Sequence, residues 1–165
     1  MAAIAYAGFL LWAAAGLADF ALHRRTDLPH TSGLTESSLH LVQLGLMGMA
    51  VLVWWALAPT WGAWLVTAAL VLAHAGFGYL DTRSAWGKRP ITPIEQHVHS
   101  VLDAMPWIFL GGYAWTVGDG FALAVRPRDA TLWLWIGVPA LVVGGFALAE
   151  WAAARQAMRL PREGA

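Results

Sequence analysis

Five apolar stretches, at roughly 3–23, 34–58, 61–80, 94–117 and 130–154, dominate this chain. Each is near the ~20 residues that a helix needs to cross a bilayer. In lipid, no water is available to satisfy backbone N–H and C=O groups, so runs of this length are restricted to helices. The chain of 165 residues is 59% hydrophobic and 12% charged, against the roughly 25% charged residues of a soluble domain. The expected fold is therefore an all-α integral membrane protein of about five transmembrane helices. Four of these should form a bundle around a His/carboxylate cluster. Span five carries no strong candidate ligand and is expected to pack against the other four or to mediate association. No repeat, low-complexity tract or long linker divides the chain, so residues 1–165 read as a single domain.

Loop charge predicts orientation. Arg24, Arg25, Arg83, Lys88, Arg89, Arg155, Arg159 and Arg162 fall on one side, and only Arg126 and Arg128 on the other. The positive-inside rule then places the N-terminus outside and the C-terminus in the cytoplasm, as in a multi-pass protein of a bacterial inner membrane. Trp54, Trp55, Trp61, Trp64, Trp115, Trp133 and Trp135 fall near the outer interface, where indole rings anchor. The first span has no basic leader and its Arg pair follows the apolar run. It reads as a retained anchor rather than a cleaved signal peptide.

Almost all the histidines and most of the acids cluster at one end of these spans. Asp19 and His23 end the first, Glu36 and His40 begin the second, His74 and Asp81 end the third, and Glu95, His97, His99 and Asp103 begin the fourth. Antiparallel connection brings the four groups to one membrane side, the cytoplasmic one. The pairs Asp19/His23 and Glu36/His40 are four residues apart and share a helix face. Glu95, His99 and Asp103 continue one stripe, whereas His97 lies about 200° from His99 around the helix. At ~1.5 Å per residue, His74 lies about 10 Å deeper than Asp81, and Asp103 about 12 Å deeper than Glu95. Ionisable groups at such depth are costly and need partners.

A cationic centre would supply that partner. The chain has no cysteine, so a metal must be held by imidazole and carboxylate, a set suited to iron, manganese or zinc. The candidate ligands are Asp19, His23, Glu36, His40, His74, Glu95, His99 and Asp103, enough for two metal ions. Asp81 and His97 are alternative ligands or residues that orient the imidazoles. Plainer roles compete for several of these. Thr92-Pro93-Ile94-Glu95 fits a capping box with proline at the first helical position. Glu36 can answer a helix dipole, Asp81 can pair with Arg83, and His23 can sit at the interface beside Arg24. His30 reads as a solvated loop residue, and Glu150 as an interfacial partner of Arg155. Gly45 and Gly48 on span two, with Gly76 and Gly78 on span three, either permit close helix approach or open a slot for a ligand.

The stretches Thr31-Ser32-Gly33-Leu34-Thr35-Glu36-Ser37-Ser38-Leu39-His40 and Thr92-Pro93-Ile94-Glu95-Gln96-His97-Val98-His99-Ser100 resemble those of small uncharacterised bacterial polytopic membrane proteins. The resemblance covers roughly residues 15–105 and brings no established activity with it. In broad chemistry the chain is also similar to histidine-rich membrane hydroxylases and desaturases, but it lacks their His-x-x-His-His boxes. Intramembrane zinc hydrolases of the ceramidase and progestin-receptor-like kind share only the idea of a few His and Asp near one face.

The leading functional expectation is a dinuclear, di-iron oxidoreductase acting on a lipid or quinone-like apolar substrate. The alternatives are a single-zinc intramembrane hydrolase, a bis-histidine b-type cytochrome using two of His40, His74 and His99, and a non-catalytic accessory subunit of a membrane complex. The expected cofactors are two metal ions, with iron first, zinc or manganese next and haem last. Balanced charge, with 10 basic and 10 acidic residues, gives no sign of nucleic-acid binding. Expected partners are membrane lipid or another apolar small molecule, with a homo-oligomer or larger membrane complex as an option.

Overall fold

A computed structural model describes residues 2–159. Among them are five helices: α1 (Ala2–Arg25), α2 (Gly33–Ala56), α3 (Trp61–Ala85), α4 (Pro93–Ala114) and α5 (Ala130–Ala157). Each falls within a few residues of an apolar stretch. α1, α2, α3 and α5 are long and apolar enough to cross a membrane. α4 has a similar length, 22 residues, but its N-terminal half carries Glu95, His97, His99 and Asp103. Large apolar side chains such as Ile4, Leu72, Ile108 and Leu141 are more than 60% exposed on the outside of the bundle. An apolar exterior of this kind is what a lipid solvent requires.

Neighbour relations close the five helices into a ring. α1 packs between α4 and α5, α5 between α1 and α2, α2 between α5 and α3, and α4 between α3 and α1. The fifth helix is therefore part of the bundle wall and separates α1 from α2. The loop between those two carries a short 3-10 turn, Leu28–His30, whose Leu28 is fully buried and which rests against α5 and α2. Two left-handed residues shape this connection, Asp27 at φ 53° and Gly33 at φ 60°. Asp is among the few side chains that tolerate this region, and glycine enters it without strain.

Two helices carry an internal proline, Pro106 in α4 and Pro139 in α5. Proline lacks the N–H that would bond the carbonyl four residues earlier, so Leu102 O and Trp135 O lose their helical donors. α1 supplies both replacements. Trp12 Nε1 donates to Leu102 O at 3.3 Å, and Tyr6 Oη donates to Trp135 O at 3.2 Å. Between helices in lipid, packing and hydrogen bonds of this sort take the place of a hydrophobic driving force.

The end remote from the histidines is closed by backbone pairing of two loops. Ala58 N donates to Ala124 O, Trp61 N to Gly120 O and Arg126 N to Ala56 O. Gly62 permits this closure, because a β-carbon there would lie 2.1 Å from Phe121 O. The Arg128 guanidinium stacks 4.2 Å from the Trp55 ring and donates from Nε to Trp55 O.

Candidate metal centre

The opposite end of the ring gathers the polar residues. Asp19 and His23 occupy the last turns of α1, Glu36 and His40 the first turns of α2, and Glu95 the start of α4. All five are buried, as are His74 and Asp81 on α3. Local sequence sets these positions: the Gly33 turn starts α2 just before Glu36, and the Thr92 hydroxyl accepts from Glu95 N to start α4. The Thr92 half of the expected capping box is thus present, while the Glu95 side chain leaves the cap and turns toward Arg89 and His23.

Glu150 of α5 is the hub. Its two carboxylate oxygens accept from His23 Nδ1 at 2.9 Å and from His40 Nδ1 at 2.6 Å. The two imidazoles stack face to face, 4.8 Å apart and 5° from parallel. An ionised carboxylate only accepts, so each Nδ1 must carry the proton, which leaves each Nε2 as a lone pair in the neutral ring. His23 Nε2 faces three carboxylates: Asp19 Oδ1 at 3.4 Å, Glu95 Oε1 at 3.6 Å and Glu36 Oε1 at 3.9 Å. His99 Nε2 lies 2.9 Å from the same Asp19 oxygen, and His40 Nε2 lies 3.2 Å from Asp81 Oδ2.

Arg89, from the α3–α4 connection, flanks this centre. It is 6% exposed, pairs bidentately with Glu36 through Nε and Nη2, and reaches Glu95 with the same Nη2. Burial works against its charge, but the hydrogen bonds to Glu36 and Glu95 outweigh it and raise its pKa above the usual arginine value. The guanidinium stays charged throughout the accessible pH range. On the other flank Gln43 Nε2 donates to Asp81 Oδ2 at 3.2 Å. His74 and Asp103 line a cavity beside Asp81, Asp19 and His99.

Several expectations need correction. Glu150 does not pair with Arg155, which instead stacks over Trp151; span five therefore contributes a central residue of the site. Asp81 turns inward to His40 and Gln43 and away from the exposed Arg83. His23 is buried inside the bundle and bonds Glu150, whereas its neighbour Arg24 is exposed. His97 points away: it is exposed and donates from Nδ1 to Pro93 O, as the 200° offset from His99 requires. His30 is exposed and bonds Asp27, in keeping with the solvated loop residue expected there. Glu36 and Glu95 are committed first to Arg89, a residue that sequence reasoning counted only as loop charge. Gly45, Gly48 and Gly76 have nothing within 4 Å of a built β-carbon, so they do not serve close helix approach.

The arrangement leaves an imbalance. Asp19 Oδ1, His23 Nε2, His40 Nε2 and Asp81 Oδ1 are buried without a hydrogen-bond partner among the described residues. An unprotonated Nε2 facing a carboxylate is acceptor against acceptor, and either a metal cation between them or a second proton on the ring removes the conflict. Net charge agrees. The buried acids Asp19, Glu36, Asp81, Glu95 and Glu150 are opposed by one buried fixed cation, Arg89, so neutral imidazoles would leave four negative charges uncompensated. Two groups have ligand atoms that all lie within 4.8 Å of one another, Asp19/His23/His99 and His23/Glu36/His40. These buried His, Asp and Glu groups could hold a metal ion. The Glu150 contacts are those by which carboxylates fix the tautomer of metal-binding histidines. No known family, curated protein or solved structure matches the chain.

Proposed function

We propose that this chain is a membrane metalloprotein that binds two divalent ions, iron in the first instance, and oxidises an apolar substrate with O2 as electron acceptor. The observation that carries the proposal is the pair of Nε2 lone pairs, on His23 and His40, held toward carboxylates by one shared Glu150. One ion would draw on Asp19, His23 and His99. The other would draw on His40 and Asp81, with His74 and Asp103 nearby. Two divalent ions would offset the four uncompensated charges. Glu36 and Glu95 would serve through Arg89, keeping a compensated wall around His23. Loop charge supports a bacterial cytoplasmic membrane with the site near the cytoplasmic face.

The bound ions would supply the redox chemistry. The protein's own groups orient the imidazoles, exclude bulk water and offer proton acceptors at Asp103 and Asp81. A single-zinc hydrolase needs few carboxylates and would leave half of the charge uncompensated. A haem needs a flat slot between two imidazoles, whereas His40 is stacked on His23 and hydrogen-bonded to Glu150.

A second reading draws on the same charge count. Protons on His23, His40, His74 and His99 would offset as much charge as two divalent ions, giving a buried proton relay in an accessory subunit. Metal content of His40→Ala and His99→Ala proteins separates the two. The metalloprotein reading expects each variant to lose metal relative to the parent. Full occupancy in both would sink it.

A further inference from the structure

The interior of the ring points to a substrate class, an inference that rests on reading the cluster as a reaction centre. Two cavities meet there, and Phe9, Trp12, Met47 and Val51 line both. The first, of about 220 Å³, has Asp19, His40, His74, Asp81 and His99 at one end and is mainly apolar elsewhere. The second, of about 530 Å³, extends away from the histidines and reaches Ile4 on α1 and Thr116 just beyond α4. Pockets for drug-sized molecules span ~300–1,000 Å³. The second cavity falls within that range and the first below it. A slender part of a ligand therefore fits beside the cluster, and a ring system does not.

The waist between the cavities is fixed. Trp12 Nε1 donates to Leu102 O at 3.3 Å, and the indole stands edge to face against Phe109. Depth sets the length of the occupant. At ~1.5 Å per residue, α1 runs about 10 Å from Trp12 to Asp19 and about 12 Å from Trp12 to Ile4. Carbon–carbon bonds of ~1.5 Å in a zigzag advance about 1.3 Å per carbon, so roughly seventeen carbons span both cavities. The wide cavity also carries hydroxyls, on Thr67, Tyr113 and Thr116. Those of the threonines donate to Ala63 O and Tyr113 O. The Tyr113 hydroxyl is buried without a partner among the described residues, whereas buried hydroxyls ordinarily have one. A ligand oxygen at this end supplies the missing acceptor.

We propose that the two cavities take a straight-chain lipid, tail first. Its carbonyl or ester oxygen lies in the wide cavity and accepts from Tyr113. The chain passes Trp12, and its far end lies beside the His/carboxylate cluster. Quinone and sterol rings stop at the waist, so the substrate class narrows to linear aliphatic chains.

The test uses full-length protein in detergent and two methyl hexadecanoate probes, with a photoreactive diazirine at the tail end or at the head end. Cross-links are mapped by peptide mass spectrometry. The tail-end probe is expected to label the segments around Asp19 and Leu102, and the head-end probe the segment around Tyr113. Unlabelled methyl hexadecanoate should compete at least about tenfold better than cholesterol or a naphthoquinone, because bulk forced between packed side chains is penalised. Gly48 lines the narrow cavity and has nothing within 4 Å of a built β-carbon, so Gly48→Leu fills that space and removes tail-end labelling. Gly45→Leu, outside both linings, leaves labelling unchanged. Tyr113→Phe weakens competition by the ester about 2–10-fold, as loss of one hydrogen bond would, and leaves competition by hexadecane unchanged. Labelling that ignores the position of the diazirine, equal competition by the ring compounds, unchanged ester affinity in Tyr113→Phe, or undiminished tail-end labelling of a folded Gly48→Leu protein overturns the proposal. Metal content measured on the same samples keeps the two readings apart. Bound metal without end-specific labelling refutes the cavity assignment alone, and end-specific labelling of protein that binds no metal refutes the metal centre alone.

Discussion

Replacing Glu150 by glutamine tests the hub of the site with almost no change in shape. Glu150 is 9% exposed, and both of its oxygens accept from an imidazole Nδ1, at 2.9 and 2.6 Å. Glutamine keeps one acceptor oxygen and presents an NH2 group where the other stood. One imidazole keeps its bond. The other meets a donor and must rotate or move its proton to Nε2, the atom whose lone pair faces the carboxylates. Loss of such an orienting partner typically lowers metal affinity ~10–100-fold, which is about 1.4–2.8 kcal/mol. Competition between Glu150→Gln protein and a chromophoric chelator for Co(II) or Zn(II) measures this directly. Thermal unfolding in detergent gives a separate expectation, a loss of about 1–3 kcal/mol for one buried group left unsatisfied. Unchanged affinity in a folded variant would refute the argument that Glu150 holds the lone pairs in place.

Arg89→Met leaves Glu36 and Glu95 buried without their cation and should cost about 3–5 kcal/mol. Adding Glu36→Gln and Glu95→Gln should recover much of the loss in a thermal-unfolding series, and no recovery would mean that Arg89 acts by packing. Gly62→Ala drives a β-carbon to 2.1 Å from Phe121 O, so the remote loop closure should fail and Tm fall while metal content per folded chain holds. Trp12→Phe strands the Leu102 carbonyl that Pro106 has already freed; a loss of about 0.6–2 kcal/mol is expected, the range of interhelical hydrogen bonds in lipid, read by unfolding in detergent. His97→Ala should leave metal content and stability unchanged, and a loss of metal there would place the ligand stripe on the wrong face of α4.

Helix limits were legible in the sequence because lipid allows an apolar run of that length little other than a helix. The meeting of Asp19, His23, Glu36, His40 and Glu95 was legible because antiparallel connection fixes which ends share a side. Four-residue spacing also sorted His99 from His97 correctly. Neighbour order around the ring was not legible. Hydropathy says nothing about which helix touches which, so the place of α5 between α1 and α2 had no signal. Glu150 was misjudged for that reason, although one clue was present. Spans one, three and five end on the same side, so an acid near the end of the fifth lies in the same layer as Asp19 and His23. Arg89 was obscured by its role in the loop-charge count. The number of buried acids gave the missing demand for a fixed cation, and the short loop holding Arg89 enters the helix that carries Glu95.

The central claim is that metal ions, rather than protons, balance this cluster. Elemental analysis of detergent-purified protein, prepared without chelator from iron-replete cells and accompanied by a visible spectrum, tests it most directly. The account predicts two metal ions per chain, iron foremost, and no Soret band. Protein free of metal, with its fold intact, would contradict the account and leave the histidines as a protonated network.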